Sequence, residues 1–190
     1  MTDGSEARLA DLLARLPTRR MRRRLVRCVP QLDFDESETP SYLFASGRPG
    51  RCNPAGVDCL YFSETEPTAQ AEYRQMWRGT VAEHQPKLTF TARVRLRKIL
   101  DLSDGETVRL LGLSREDLEG EWRLRQPTPI QELGRGISRQ ASITAVRFRS
   151  AAAATAGRSG WNVAVYPASL EAPDRVEILG RSGEPLEILP

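Results

Sequence analysis

The stretch Gly47-Arg-Pro-Gly-Arg-Cys-Asn-Pro-Ala-Gly-Val-Asp-Cys-Leu-Tyr-Phe-Ser-Glu-Thr-Glu-Pro-Thr-Ala-Gln-Ala-Glu72 sets the reading of this chain. Its first third, punctuated by glycine and proline, carries Arg48, Arg51 and Asn53 on a loop with little side-chain bulk. From Val57 to Phe62 the residues turn apolar, the pattern of a short buried strand. Pro67 then stands in the first turn of a helix, where its missing N–H is not needed. That helix runs from Glu66 to Trp77 and stops at Gly79. A guanidinium on the loop can grip a phosphate through two parallel hydrogen bonds. The Glu72 carboxylate, brought beside it by strand and helix, can then act on a sugar attached to that phosphate.

Downstream, Leu88–Leu96 alternates cleanly, with Leu88, Phe90, Ala92, Val94 and Leu96 inward and Thr89, Thr91, Arg93 and Arg95 outward. Ser114-Arg115-Glu116-Asp117 is a capping pattern before a short helix. Pro129–Gln140 reads as helix. Ile143–Phe148, Trp161–Tyr166 and Arg175–Leu179 read as strands, with Ala151–Gly160 a small-residue loop between the first two. Upstream, Leu9, Leu12, Leu13 and Leu16 share one helical face over residues 5–16, and Pro17 ends the helix. Thr18 then caps a second, basic helix to about Val29, with Met21, Leu25 and Val26 inward, and Pro30 to Pro40 is acidic and turn-like. Residues 1–32 are thus expected to form a basic helical extension, and 33–190 one domain. Strands and helices do not alternate regularly, so the expected class is α+β with largely antiparallel pairing.

At 190 residues the chain suffices for one domain with a core and a small appendage. Its composition, 39% hydrophobic and 28% charged, is that of an ordinary globular protein. No run approaches the roughly 18–20 apolar residues that span a bilayer. The polar N-terminus argues against a cleaved secretory leader, and a cytoplasmic protein without membrane contact is expected. The net charge of +3 conceals seven arginines and no acid between Arg15 and Arg27, so the remainder is net acidic. Arginine outnumbers lysine 26 to 2, a bias that a GC-rich coding sequence explains. The local cluster suits either nucleic acid or an acidic partner, but no interleaved aromatics stand ready to stack bases. Cys28, Cys52 and Cys59 contain no Cys-x-x-Cys pair and, being odd in number, suggest no disulfide framework. A zinc site would require all three to converge with His84, the one histidine, so no metal is expected.

No phosphate-binding loop ending in Gly-Lys-Ser/Thr occurs, no strand leads into a Gly-x-Gly-x-x-Gly turn, and no Gly-x-Ser-x-Gly elbow is present. What remains is an arginine loop, a helix carboxylate and a serine between strand and loop. In order along the chain stand Gly50-Arg51-Cys52-Asn53-Pro54-Ala55-Gly56, Cys59-Leu60-Tyr61-Phe62-Ser63-Glu64, Thr68-Ala69-Gln70-Ala71-Glu72, Ala145-Val146-Arg147-Phe148-Arg149-Ser150-Ala151 and Gly160-Trp161-Asn162-Val163-Ala164-Val165. This ordered set, over about residues 40–180, resembles the RES domain family, named for its Arg, Glu and Ser. Cys52 replaces the family's usual bulky aromatic, Arg149 its proline before the serine, and Trp161 its arginine before the asparagine.

The resemblance implies an ADP-ribosyltransferase-like fold and consumption of NAD by cleavage of the nicotinamide–ribose bond, with ADP-ribose passed to water, phosphate or a protein. It implies a bacterial toxin held by an Xre-like antitoxin. The two expected N-terminal helices, rich in leucine on one face and arginine on another, suit a docking or self-association surface. Arg51, Glu72 and Ser150 become the expected catalytic residues: Arg51 on the pyrophosphate, Glu72 stabilising an oxocarbenium-like ribose, and Ser150 orienting the sugar. Arg48, Asn53, Tyr61 and Asn162 become the expected NAD-binding residues, with Tyr61 placed to stack on a ring. Two alternatives stay open: a nucleic-acid-binding module acting through Arg15–Arg27, and an inactive RES-like interaction protein.

Overall fold

The structure, a computed structural model, describes residues 3–35, 48–124, 126–140, 143–180 and 182–189. Its longest element is the strand β3, Lys87–Asp101. The alternation read from sequence holds there, with Phe90, Ala92, Val94 and Leu96 all buried. A strand of fifteen residues needs partners along both edges to satisfy its backbone. One edge is filled by β1, Arg19–Pro30, antiparallel from Arg22 opposite Arg95 to Pro30 opposite Lys87.

The basic helix expected over 18–29 is therefore a strand. Met21, Leu25 and Val29 are spaced by four, which satisfies a helical face and a period of two alike. Pairing with β3 decides between them, overriding arginine's favourable helix propensity. The remaining part of the expected extension is helical: α1, Asp3–Arg15, precedes β1, and α2, Gln31–Asp35, follows it. Residues 36–40 of the acidic turn lie outside the described residues. After the arginine loop come β2, Leu60–Ser63, and α3, Glu66–Trp77, the latter as expected. Beyond β3 follow α4, Gly105–Leu110, α5, Arg115–Glu119, and α6, Pro129–Ser138. The chain continues with β4, Ala145–Arg149, α7, Ala151–Thr155, β5, Trp161–Val165, β6, Arg175–Leu179, and β7, Pro185–Leu189. The expected small-residue loop after β4 thus begins as a helix, capped by Ser150.

The strand order is β1-β2-β5-β4-β3-β6-β7, and β1 also pairs with β3. Five strands therefore close into a ring, and β6 and β7 extend from β3 as a flap. Every pairing is antiparallel except β3 with β4. The weak point of the ring is its β1–β2 seam, where the ladder has one pair, Val26 opposite Ser63. Arg27 reinforces it, donating from Nη1 to the Tyr61 carbonyl at 3.2 Å. Burial draws the Arg27 guanidinium down to about 10.

One core fills the ring, with Leu25, Leu60, Phe62, Val94, Val163 and Val176 among its members. A second lies outside, where Leu13 and Leu16 join Ile130, Leu133 and Ile137 of α6 against Val146, Ala164 and Tyr166. Burial of aliphatic side chains on this scale supplies about 1.5–3 kcal/mol per residue and holds the two layers together. Strand alternation then sends Leu60 and Phe62 into the ring and Tyr61 and Ser63 to its outer side. The site is built on that outer side.

Candidate functional site

Glu72 lies on α3, the helix that follows β2 after a two-residue turn. Thr65 caps this helix by accepting from the Thr68 amide. The half-buried Glu72 carboxylate meets two donors from other elements. Ser150 Oγ donates to Glu72 Oε1 at 2.6 Å, and Asn162 Nδ2 donates to the same oxygen at 2.6 Å. Ser150 Oγ also accepts from the Ala153 amide at 2.9 Å as the N-cap of α7, so its proton is directed at Glu72. Among the described residues nothing donates to Glu72 Oε2. One oxygen is thus held by two neutral donors and the other by none of the described residues.

A third residue supports this arrangement. Ser63 Oγ donates to Asn162 Oδ1 at 2.8 Å, which turns the amide so that its NH2 faces Glu72. Ser63 and Asn162 are opposite one another on β2 and β5 and are both buried. Ser63 stands within one of the ordered sequence motifs, where nothing local marks its role. Its available signal was parity: a hydroxyl two residues from Tyr61 on one strand face.

Close approach of α3 and α7 depends on Gly160. A Cβ there would come within 2.6 Å of Thr68 Oγ1 and 2.7 Å of the Ala153 Cβ. Only glycine lets both helices close over the start of β5.

The loop residues form a separate cluster. Arg51 donates to two backbone carbonyls at the C-terminal end of α5, Leu118 O at 2.9 Å and Gly120 O at 3.1 Å. In this conformation its guanidinium anchors the loop. Arg48 is exposed, with its own carbonyl accepting from Asn53. Asn53 is fully buried, and its amide also donates to Val57 O at 2.8 Å. Tyr61 donates to Asn53 Oδ1 at 2.7 Å and accepts from the Cys52 amide at 2.8 Å. The Tyr61 hydroxyl is thus occupied, and burial pushes it well above its ordinary value. Its ring meets Phe148 edge-on at 6.4 Å between centroids. The structure therefore joins Glu72, Ser150 and Asn162 directly. It ties Arg48, Asn53 and Tyr61 into a loop scaffold and commits Arg51 to the end of α5. The two groups share strand β2, where Tyr61 and Ser63 lie on one face.

At the ring mouth, inside the strands, a charged network went unread in sequence. Arg147 donates to Glu64 at 2.6 Å and to Asp101 at 3.3 Å, while its guanidinium lies 4.0 Å above the Trp161 ring. Arg23 reaches Glu64 at 2.8 Å and Arg19 reaches Asp101 at 3.1 Å. Cys52 is buried in the outer core, and burial pushes its thiol up to about 12. All three cysteines are free. Among the described residues no group of three or more His, Cys, Asp or Glu side chains is placed to hold a metal ion. No helix among them is long and apolar enough to cross a membrane.

A family model, the RES domain, matches residues 24–187. The chain belongs to the RES domain family. The match begins within β1 and ends within β7, so the RES domain takes in the strand that sequence reading assigned to a helical extension. Among solved structures, the crystal structure of the MbcT–MbcA toxin–antitoxin complex of M. tuberculosis contains a similar fold. The TM-score is 0.63 at 16% identity, covering 90% of this chain and 89% of that one. No curated protein matches the chain. All three departures named from sequence adjoin described contacts: Cys52 bonds Tyr61 and Tyr166 through its backbone, Trp161 lies under Arg147, and Arg149 comes within 3.8 Å of Glu119.

Proposed function

We propose that this chain consumes NAD. Breaking the bond between nicotinamide and ribose C1′ sends the bonding electrons out with neutral nicotinamide and leaves an oxocarbenium-like sugar. A carboxylate beside that sugar lowers the barrier electrostatically. The observation that carries the reading is Glu72, with Oε1 fixed by Ser150 and Asn162 and Oε2 open. A pinned carboxylate is preorganised, so it need not reorient as charge develops. Ser150 and Asn162 orient Glu72, and Glu72 stabilises the ribose. Water, phosphate or a protein nucleophile then attacks C1′ and takes up ADP-ribose. Arg48, exposed on its loop, and Arg51, once released from the Leu118 and Gly120 carbonyls, supply charge for the pyrophosphate. Tyr61 offers its ring to a base.

The same reading makes the chain a cytoplasmic toxin, ADP-ribosyltransferase-like in fold and controlled by a partner protein of the Xre-like type; membership of the RES family and the fold shared with a toxin–antitoxin complex support it. Purified protein incubated with NAD should release nicotinamide. Intact NAD after prolonged incubation, with phosphate and protein acceptors supplied in turn, would falsify the catalytic reading. Expression of the chain alone should halt bacterial growth, and co-expression of the adjacent gene should restore it. Growth unaffected by NAD-active protein would remove the toxin assignment and leave the enzymatic one.

A further inference from the structure

The outer surface of β1, β3, β6 and β7 carries more arginines than the described acids neutralise. Register places Arg24, Arg93, Glu177 and Ile188 in one row across the four strands. The next row holds Arg22, Arg95 and Arg175. All five arginines are exposed. The single acid of these rows, Glu177, already takes Arg93 at 2.8 Å and Arg175 at 2.7 Å. Arg22, Arg24 and Arg95 make no ion pair with a described acid. Like charges directly opposite on neighbouring strands destabilise a sheet. Here Arg22 faces Arg95, Arg24 faces Arg93 and Arg95 faces Arg175. A coding bias toward arginine accounts for the number of these residues and not for their gathering on one face. At the flap's edge the same face presents two aliphatic side chains, Leu186 at 52% exposure and Ile188 at 49%.

We propose that this face docks an acidic segment of a partner protein. Its carboxylates meet Arg22, Arg24 and Arg95, and an aliphatic side chain covers Leu186 and Ile188. Strand spacing sets the span from Arg24 to Ile188 at about 14 Å, the length of roughly ten helical residues. Two features favour protein over nucleic acid. No aromatic side chain stands in these rows to stack a base, and Glu177 with its aliphatic neighbours opposes a phosphate chain. The face uses strands that do not carry Glu72, Ser150 or Asn162, so a partner bound there leaves that site open. The inference stands apart from the NAD reading and needs no catalysis for its test.

The test is fluorescence anisotropy on the full chain, with a labelled peptide of four Glu-Glu-Leu repeats and, separately, a single-stranded DNA oligonucleotide of matched charge. The peptide should bind at low salt and weaken roughly tenfold as ionic strength shortens the range of charge. Arg22→Gln combined with Arg95→Gln should cut peptide affinity at least tenfold and, by removing the opposed charges, raise the thermal midpoint. Leu186→Ser with Ile188→Ser should weaken binding several-fold at any salt. Absence of peptide binding, or binding unchanged in the Arg22/Arg95 variant, overturns the proposal. Tighter binding of the oligonucleotide overturns it in favour of nucleic acid. Should the double variant fail to fold, Arg95→Gln alone serves, with the same loss of peptide affinity expected.

Discussion

At the scale of single residues, the arrangement turns on which oxygen of Glu72 is occupied. Glu72→Gln keeps the shape and removes the charge, and under the proposed reaction kcat should fall about 100- to 1,000-fold with a small change in KM. Ser63 lies one bond further out. Ser63→Ala frees the Asn162 amide to turn its oxygen toward Glu72, and kcat should fall by about tenfold, the value of one oriented hydrogen bond. Ser63→Thr retains the hydroxyl and should recover most of that loss; equal losses in both variants would make Ser63 a packing residue. Asp101 gives a prediction in pH. Burial favours its neutral form, yet Ser103, then Arg147 and Arg19, outweigh burial and hold the carboxyl below its ordinary value of 3.8. A carboxylate depressed in the folded chain adds stability in full above its unfolded value, and that stability is lost as pH falls through the folded value. Asp101→Asn should therefore be less stable than the parent at neutral pH and lose less on acidification below about pH 4, as read by denaturant midpoints.

At the scale of elements, the strand-to-helix unit Leu60–Trp77 was legible because both halves carry strong local signals, an apolar run and a proline in the first helical turn. The alternation of β3 was legible for the same reason. β1 was not, since residues spaced by four suit both periods and its pairing lies on a strand some seventy residues away. β7 was unread because Leu186 and Ile188 alternate over too few residues to stand out. For the site, the order of motifs led to Glu72, Ser150 and Asn162, while the Ser63–Asn162 contact spans 99 positions and leaves no local trace. A chain beginning at Asp33 lacks β1 and leaves one edge of β3 unpartnered from Lys87 to Ile99, so it should show no cooperative thermal transition; a normal transition would show that the ring closes without it. Gly160→Ala forces α3 and α7 apart and should cost about 1–3 kcal/mol of stability. Its loss of activity should exceed that of an equally destabilising change in the outer core.

At the scale of the whole molecule, four of the five seams of the ring are multi-residue ladders, and the fifth is a single pair reinforced by one arginine. Such a closure opens locally at a lower free energy than the ladders around it. Amide deuterium uptake should therefore be fastest, among the ring strands, along the facing edges of β1 and β2. Arg27→Met should quicken it there and leave the β4–β5 ladder unchanged. The residue at that closure, Ser63, is also the one that orients Asn162. Opening of the ring at this point should loosen the amide that pins Glu72, so under the proposed reaction the lifetime of a competent carboxylate should follow the opening rate of the weakest hoop.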